Sequence, residues 1–467
     1  MNHLCKSVIT SLALLCIIAP VASAEQSSND DIASEQNSRV PLLELRRFTD
    51  AFTHIREHYV EEVSDQELFD LAIHGMLTGL DPHSSYLEPK EFEELQEDTS
   101  GEFGGLGIEI DQDGGFIRIV TPIDDSPAKK AGIQAGDIIL KLDGESVRGM
   151  SIEESIDVMR GEPGTKLDME VVSEGSNSPK TITVVRDIIK IPSVRSRALE
   201  PGFAYIRIAQ FQGKTGDETK AAIQKFLDEE QELHGIVLDL RNNPGGVLTA
   251  AAEVAEAVQD GGLVVYTEGR SSADRSDLFA ADGDISGGVP VVVLINGGSA
   301  SASEIVAGSL QDHKRAVIMG TDSFGKGSVQ AVIQVSEDHA IKLTTALYFT
   351  PEGRSIQALG IKPDIEVVRA KIEVINGRNF TEADLSGHLK NASGKEESKG
   401  KDRAKDKEQQ ESLLLRDNQL YEALTLLKGL HIINQGKIQL AEAKIEQTMA
   451  ELEVDAPTGE PLLPEQP

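Results

Sequence analysis

Between Gly202 and about Val367 short apolar runs alternate with longer helical patterns, and this rhythm constrains the fold more than any other feature. Phe203–Ile208, Ile236–Leu240, Val264–Tyr266 and Val291–Ile295 read as strands. Gly216–Glu230, Val247–Val258 and Ala302–His313 read as helices. Buried strands alternating with helices indicate a layered α/β core. No Gly-x-Gly-x-x-Gly follows the first strand and no P-loop lysine motif occurs, so nucleotide cofactors have no support and no cofactor is expected.

With 467 residues the chain exceeds one ordinary core, so two or three domains are expected. Its 39% hydrophobic and 26% charged residues exclude wholesale disorder. Upstream of the α/β part, Leu45, Phe48, Phe52, Ile55 and Tyr59 recur at three/four spacing and predict a helix over Pro41–Val60. A second fits Asp65–Leu80, with Ser64 as N-cap and Asp81-Pro82 as the stop. His54 and His58 share a helix face, but no third metal ligand stands out, and no metal site is expected. Downstream, residues 391–410 mix six Lys/Arg with five Asp/Glu and hold no apolar residue larger than Ala, the composition of a solvated linker. Beyond it Leu420, Leu424, Leu427 and His431 form one helical stripe. The sequence leaves open whether that stripe docks on the body, on a second subunit or on a partner.

The first residues carry Lys6, an apolar run from Val8 to Ala19 and then Ala22-Ser23-Ala24, the pattern of a cleavable export signal over 1–24. The run is too short for a stable membrane anchor. Cleavage after Ala24 removes Cys5 and Cys16, the two cysteines of the chain, and with them any thiol nucleophile, disulfide or thiolate metal site. A periplasmic location follows as the expectation. The formal net charge of −33, spread over the body and not confined to the tail, argues against nucleic acid as a partner.

Residues 98–186 form a separate unit. It opens on Gly104-Gly105-Leu106-Gly107-Ile108, continues with strand-like Phe116–Val120, then carries Ser126-Pro127-Ala128 and Ala131-Gly132-Ile133-Gln134-Ala135-Gly136-Asp137. Across its length it resembles a PDZ domain. A glycine-rich loop turns backbone N–H groups toward one point, which suits the terminal carboxylate of a peptide, while the adjoining strand edge pairs with the peptide backbone. Gly105, Leu106, Gly107 and Ile108 are the candidate tail-binding residues.

Three segments of the α/β part are unlike core filler. Asp239-Leu240-Arg241-Asn242-Asn243-Pro244-Gly245-Gly246 leaves a strand and enters a helix, exposing N–H groups where negative charge is stabilised. It is an oxyanion-hole candidate. Gly298-Ser299-Ala300-Ser301-Ala302-Ser303-Glu304 again precedes a helix; a serine there is unobstructed, and the next N–H points at a forming oxyanion. The plain N-cap role fits Ser299 or Ser303. Finally, Phe324-Gly325-Lys326-Gly327-Ser328-Val329-Gln330 places a lysine between glycines among apolar residues. Burial lowers the pKa of such an amine until it can take a proton from serine, and Gln330 can orient it without adding charge.

Together these segments closely resemble the carboxyl-terminal processing (tail-specific) serine peptidases, over roughly residues 41–370. The resemblance implies a multidomain α/β chain: an N-terminal helical region (25–97), the PDZ domain (98–186), a crotonase-like Ser/Lys peptidase core (187–370), and a charged linker with a helical tail (371–467). It implies Ser301 as nucleophile, Lys326 as general base and Gln330 as the residue that positions it. The oxyanion donors implied are the backbone N–H of Ala302 and one from Gly245 or Gly246. Leu80-Asp81-Pro82-His83-Ser84 also looks like a family segment, with a structural role. The activity implied is endoproteolysis near the free, apolar C-terminus of a protein substrate. An adaptor protein and a homo-oligomer are compatible with the sequence, which identifies neither.

Three rivals are weaker. A Ser/His/Asp triad would need His313 with Asp312 or another acid, and His313 is ~18 Å from Ser301 along the helix axis at 1.5 Å per residue. A PDZ adaptor that binds without cutting would not need the serine and lysine segments. A coenzyme-A thioester enzyme of crotonase type would find no substrate outside the cytosol.

Overall fold

The computed structural model describes residues 41–173, 178–229, 232–373, 382, 385–389 and 412–435. The expected export signal over 1–24 and the expected linker 391–410 lie outside them. The chain divides into two compact units, residues 1–75 and 76–467.

In the first unit the expected helix runs over Leu42–His58, and a second starts at Asp65, where the Ser64 hydroxyl accepts from the Glu67 N–H at 3.1 Å. Phe52 packs on Phe69 with ring centroids 4.7 Å apart. The stripe that amphipathicity predicts is present, yet Leu45, Phe48, Ile55 and Tyr59 are exposed.

In the second unit a short strand Ser85–Leu87 and a helix over Pro89–Ser100 precede a sheet of the kind expected for a PDZ domain. Its antiparallel sheet runs Ile108–Asp113, Phe116–Pro122, Ile138–Leu142, Lys166–Val172, Lys180–Val185 in spatial order. Helices Pro127–Lys130 and Ile152–Met159 accompany it, each capped by a serine, Ser126 and Ser151. The core is modest: Leu106, Ile117, Ile119, Ile139, Leu167 and Met169 are among its buried members.

The α/β part is built on a six-stranded sheet in the order Val194–Glu200, Phe203–Ile208, Gly235–Asp239, Val291–Ile295, Ala316–Gly320, Ile365–Glu366. The first pair is antiparallel and the rest are parallel. Side chains alternate across a strand, and in the inner strands Gly235–Asp239 and Val291–Ile295 both faces are buried, which is why these runs are almost wholly apolar. Ile236, Leu238, Val291, Val293 and Ile295 join a core that includes helices Thr215–Glu229, Leu248–Glu256 and Ala302–Asp312. Val237, Val292 and Leu294 join another, completed by Leu420, Ala423, Leu424 and Leu427 from helical residues 418–435. The tail stripe therefore docks on the body, and His431 at its end stacks against His234 at 3.9 Å. A second sheet carries the lysine segment: Ser328–Gln334 pairs antiparallel with Ala340–Phe349, which also pairs with Ser85–Leu87 and Gly262–Glu268.

Candidate active site

Parallel α/β sheets present ligand sites at the carboxyl ends of their strands. Three neighbouring strands end here in the three segments singled out above: Gly235–Asp239, Val291–Ile295 and Ala316–Gly320. Their loops are laced together. The Asn242 N–H and the Asn296 side chain donate across at 2.8 and 2.9 Å. The Ser299 hydroxyl donates to the Leu240 carbonyl at 2.8 Å, and that of Ser303 to the Asn243 carbonyl at 2.9 Å. Neither serine is the helix cap expected of it; both are buried and committed to the neighbouring loop. The N-cap position belongs to Ser301.

Ser301 has φ 55° and ψ −114°, a conformation that a non-glycine residue adopts only when its surroundings impose it. Buried Glu304, one helical turn on, imposes it. Its Oε2 accepts from the Ser301 N–H at 2.8 Å and the Lys326 N–H at 2.9 Å. Its Oε1 accepts from the Gly325 N–H at 2.6 Å and the Ser323 hydroxyl at 2.5 Å. One carboxylate thus joins the backbone of the serine elbow to that of the lysine loop. Burial pushes the Glu304 carboxyl above its usual range, against the pull of these hydrogen bonds. The Ser301/Glu304 spacing is that of a capping box, so the sequence held a signal for it.

Lys326 is half-buried. Burial lowers its pKa, the charge of Lys342 lowers it further, and Glu304 opposes both. Its Nζ has no hydrogen-bond or ion-pair partner among the described residues. Buried Tyr348 adds another link: its hydroxyl donates to the Lys326 carbonyl, and it lines the same cavity as Ser301. Burial raises the Tyr348 pKa well above the phenolic value. Nothing in the sequence pointed to this residue.

Ser301, Ala302, Lys326, Gln330 and Gly246 line one cavity of about 490 Å³, together with His83, Lys342 and Tyr348. Gly245 packs behind it, so close that a Cβ there would lie 2.7 Å from the Ser301 Cβ. The Gly245 N–H is already donated to the Asn243 side chain at 2.9 Å. The N–H groups of Gly246 and Ala302 have no acceptor among the described residues, and both residues face the cavity. Gln330 lines it too, its Nε2 donating to Ser328 at 3.0 Å and Thr344 at 3.2 Å. His313 and Asp312, the alternative triad, are engaged elsewhere: His313 Nε2 contacts the Leu263 carbonyl at 2.7 Å, and Asp312 pairs with Arg354.

Residues 202–367 match the model of peptidase family S41, residues 118–173 that of the PDZ domain, and residues 10–91 that of the activating protease CtpB N-terminal domain. The chain is 47% identical over 369 residues to a carboxy-terminal-processing protease of Bartonella bacilliformis, covering 78% of this chain and 83% of that one. The chain belongs to the carboxy-terminal-processing protease family. A Synechocystis member is 38% identical, over 67% of this chain and 74% of its own. A solved photosystem II D1 C-terminal processing protease is 31% identical, with a TM-score of 0.41, over 69% and 92% of the two chains. The protein is thus a family S41 serine peptidase with a PDZ domain.

In this protease Gly105, Leu106, Gly107 and Ile108 line a second cavity of about 570 Å³, walled by Ile110, Val120, Ile152, Ile156 and Met159. Gly107 needs its missing side chain: φ is 74°, and a Cβ would lie 2.4 Å from that of Ser126. The N–H groups of Leu106 and Gly107 have no acceptor among the described residues.

Proposed function

We propose that this protease is exported to the periplasm, holds the free C-terminus of a protein substrate in its PDZ groove, and cuts nearby with Ser301 and Lys326. The observation that carries the reading is the single cleft in which a strained serine at a helix N-terminus, a lysine of depressed pKa and two unengaged N–H donors meet. Neutral Lys326 takes the Ser301 proton as Oγ attacks the carbonyl carbon, forming the C–O bond. The N–H groups of Gly246 and Ala302 receive the oxyanion. Lys326 then gives its proton to the departing amine as the C–N bond breaks; in the second half water, deprotonated by Lys326, attacks the acyl carbon, the bond to Ser301 Oγ breaks, and Lys326 returns the proton to Oγ as the new carboxyl terminus leaves. Gly246 is preferred to Gly245 as donor because the Gly245 N–H is engaged by Asn243.

In the groove, the unengaged N–H groups of Leu106 and Gly107 suit a carboxylate, and the aliphatic walls suit apolar tail side chains. Protein substrates follow; delivery by an adaptor and self-association are compatible with the arrangement. Ser301→Ala and Lys326→Ala are each expected to abolish cleavage of an unstructured, apolar-tailed protein while leaving tail binding intact. Wild-type turnover in either variant would sink the assignment. Activity should also fall on the acid side as Lys326 gains its proton. N-terminal sequencing of the secreted protein should begin at Glu25; an unprocessed Met1 would count against export by this signal.

A further inference from the structure

The segment Leu80-Asp81-Pro82-His83-Ser84 was expected to be structural, and part of it is. The Asp81 carboxylate accepts from the backbone N–H groups of His83 and Ser84 at 2.8 and 3.0 Å, closing the turn before the strand Ser85–Leu87. A turn needs no more than that. Yet Asp81 also accepts from the Thr344 hydroxyl at 3.1 Å and the Ser84 hydroxyl at 2.7 Å, and Ser84 in turn accepts the Thr344 N–H at 3.1 Å. Thr344 lies opposite Gln330 across the strand pair, next to a register shift in the ladder. The Gln330 side chain donates to its hydroxyl at 3.2 Å.

The direction of every bond in this chain is fixed by its first member. An ionised carboxylate can only accept, so the Thr344 hydroxyl must spend its one proton on Asp81. Its oxygen is then an acceptor, and the Gln330 atom that faces it must be the amide nitrogen. The bond from Gln330 to Ser328 agrees with that orientation. Gln330 is left with its carbonyl oxygen as the free group in the cleft that Lys326 lines. Reversed, the amide would offer the lysine a donor, which a neutral amine poised to receive a proton does not need.

We propose that Asp81 is a positioning residue for the lysine base, acting through Thr344 to hold Gln330 with its oxygen toward Lys326. The inference rests on Lys326 being the base. It differs from a structural role for the segment because it ties a turn near the start of the folded chain to the orientation of one amide. The charged or titratable groups around Lys326 are Glu304 on the serine helix, Lys342 and Tyr348 on the strand Ala340–Phe349, and His83 beside Asp81 itself. The hydrogen bonds hold the Asp81 carboxyl below its usual range despite burial, so it stays ionised where the enzyme works.

Thr344→Val removes the relay hydroxyl and no charge, and leaves Asp81 its bonds to His83 and Ser84. In the full-length protein it should lower kcat ~10- to 100-fold with KM little changed, the scale of a misoriented catalytic group. The acid limb of kcat/KM should move to lower pH, because the Gln330 oxygen, which makes no bond to Lys326 in this structure, is no longer held where it would accept from the amine once protonated. Thr344→Ser should restore both. Asp81→Asn should reproduce the fall in kcat, since an amide can present its donor to Thr344. A Thr344→Val enzyme with wild-type kcat, or one whose loss comes with an unmoved acid limb and no rescue by serine, overturns the proposal. If Ser301→Ala or Lys326→Ala were active, the Ser/Lys reading itself would fail; those two inactive beside a normal Thr344→Val would refute the relay alone.

Discussion

The cleft and the PDZ groove both rest on backbone N–H groups beside glycines, but they hold them in different ways. In the cleft the Gly245-Gly246 turn is fixed by buried Asn243, backed by Ser301, and tied through Glu304 to the lysine loop. In the groove the Gly105–Ile108 loop is held by backbone bonds, such as Ala128 N–H to the Leu106 carbonyl and Ile123 N–H to that of Gly107, over a smaller core. Its walls are flexible aliphatic side chains. Stabilising a transient oxyanion requires donors that do not reorganise. Holding a series of different tails requires donors at one end and adaptable apolar surface along the rest. Damage to the cleft should therefore appear in kcat, and damage to the groove in KM.

The sharpest test of that contrast is Glu304→Gln. An amide of the same shape must turn an NH2 toward at least one group that is itself a donor, which unpicks the clamp. Losing a charged hydrogen bond costs about 1.5–3 kcal/mol, and kcat should fall ~100-fold, the order seen when one preorganised donor is lost. The pH profile separates this from general unfolding. Glu304 holds the Lys326 pKa up, so removing its charge lets that pKa fall. The acid limb of kcat/KM should shift to lower pH even as the plateau drops. A change in KM alone, with kcat intact, would show that the cleft tolerates loosening as the groove does.

How far the sequence could foresee this depended on whether the relevant partners were local. The alternation of strands and helices was legible because the inner strands Gly235–Asp239 and Val291–Ile295 are buried on both faces, and the serine and lysine segments were legible because small residues crowd beside apolar runs. Glu304 was within reach through its three-residue spacing from Ser301. The assignment of Ser299 or Ser303 as N-cap failed because loop–loop contacts outbid the local preference: both hydroxyls bond carbonyls about 60 residues away. Thr344 meets Asp81 across 263 positions, and Arg241 meets Asp417 across 176. No periodicity records such pairs. The stripe on Leu42–His58 was read correctly as amphipathic, but its pattern could not say that its apolar side would remain exposed.

On the groove side the informative change is Gly107→Ala. The new methyl meets Ser126 at 2.4 Å, on a backbone with φ 74° that alanine avoids. The loop must shift, displacing the N–H groups proposed to hold the tail carboxylate. KM for a tailed protein substrate should rise about tenfold, the loss of roughly one hydrogen bond to a charged group. Turnover of a small ester that bypasses the groove should stay at the wild-type rate. If ester turnover fell equally, the two sites would share one rigid scaffold and the contrast between them would collapse.

The smallest expected effect tests where the stiffness of the cleft comes from. Arg241 leaves the strand Gly235–Asp239 toward the Gly245-Gly246 turn, and its guanidinium is forked between Asp239 and Asp417, with bonds of 2.6 to 2.9 Å. Gln419 takes a further bond at 2.9 Å, so the docked tail helix grips the root of the loop that carries the Gly245-Gly246 turn. Asp417→Asn removes one charge from a largely buried pair, and leaves Leu420, Leu424 and Leu427 to hold the helix in place. Thermal unfolding should register a loss of about 1–3 kcal/mol. If the tail stiffens the loop, kcat should fall two- to threefold, roughly 0.4–0.7 kcal/mol of transition-state stabilisation, while tail affinity at the groove is unchanged. A loss of stability without any change in kcat would confine the stiffness of the cleft to the buried side chains that touch its backbone directly, Asn243, Ser303, Glu304 and Tyr348.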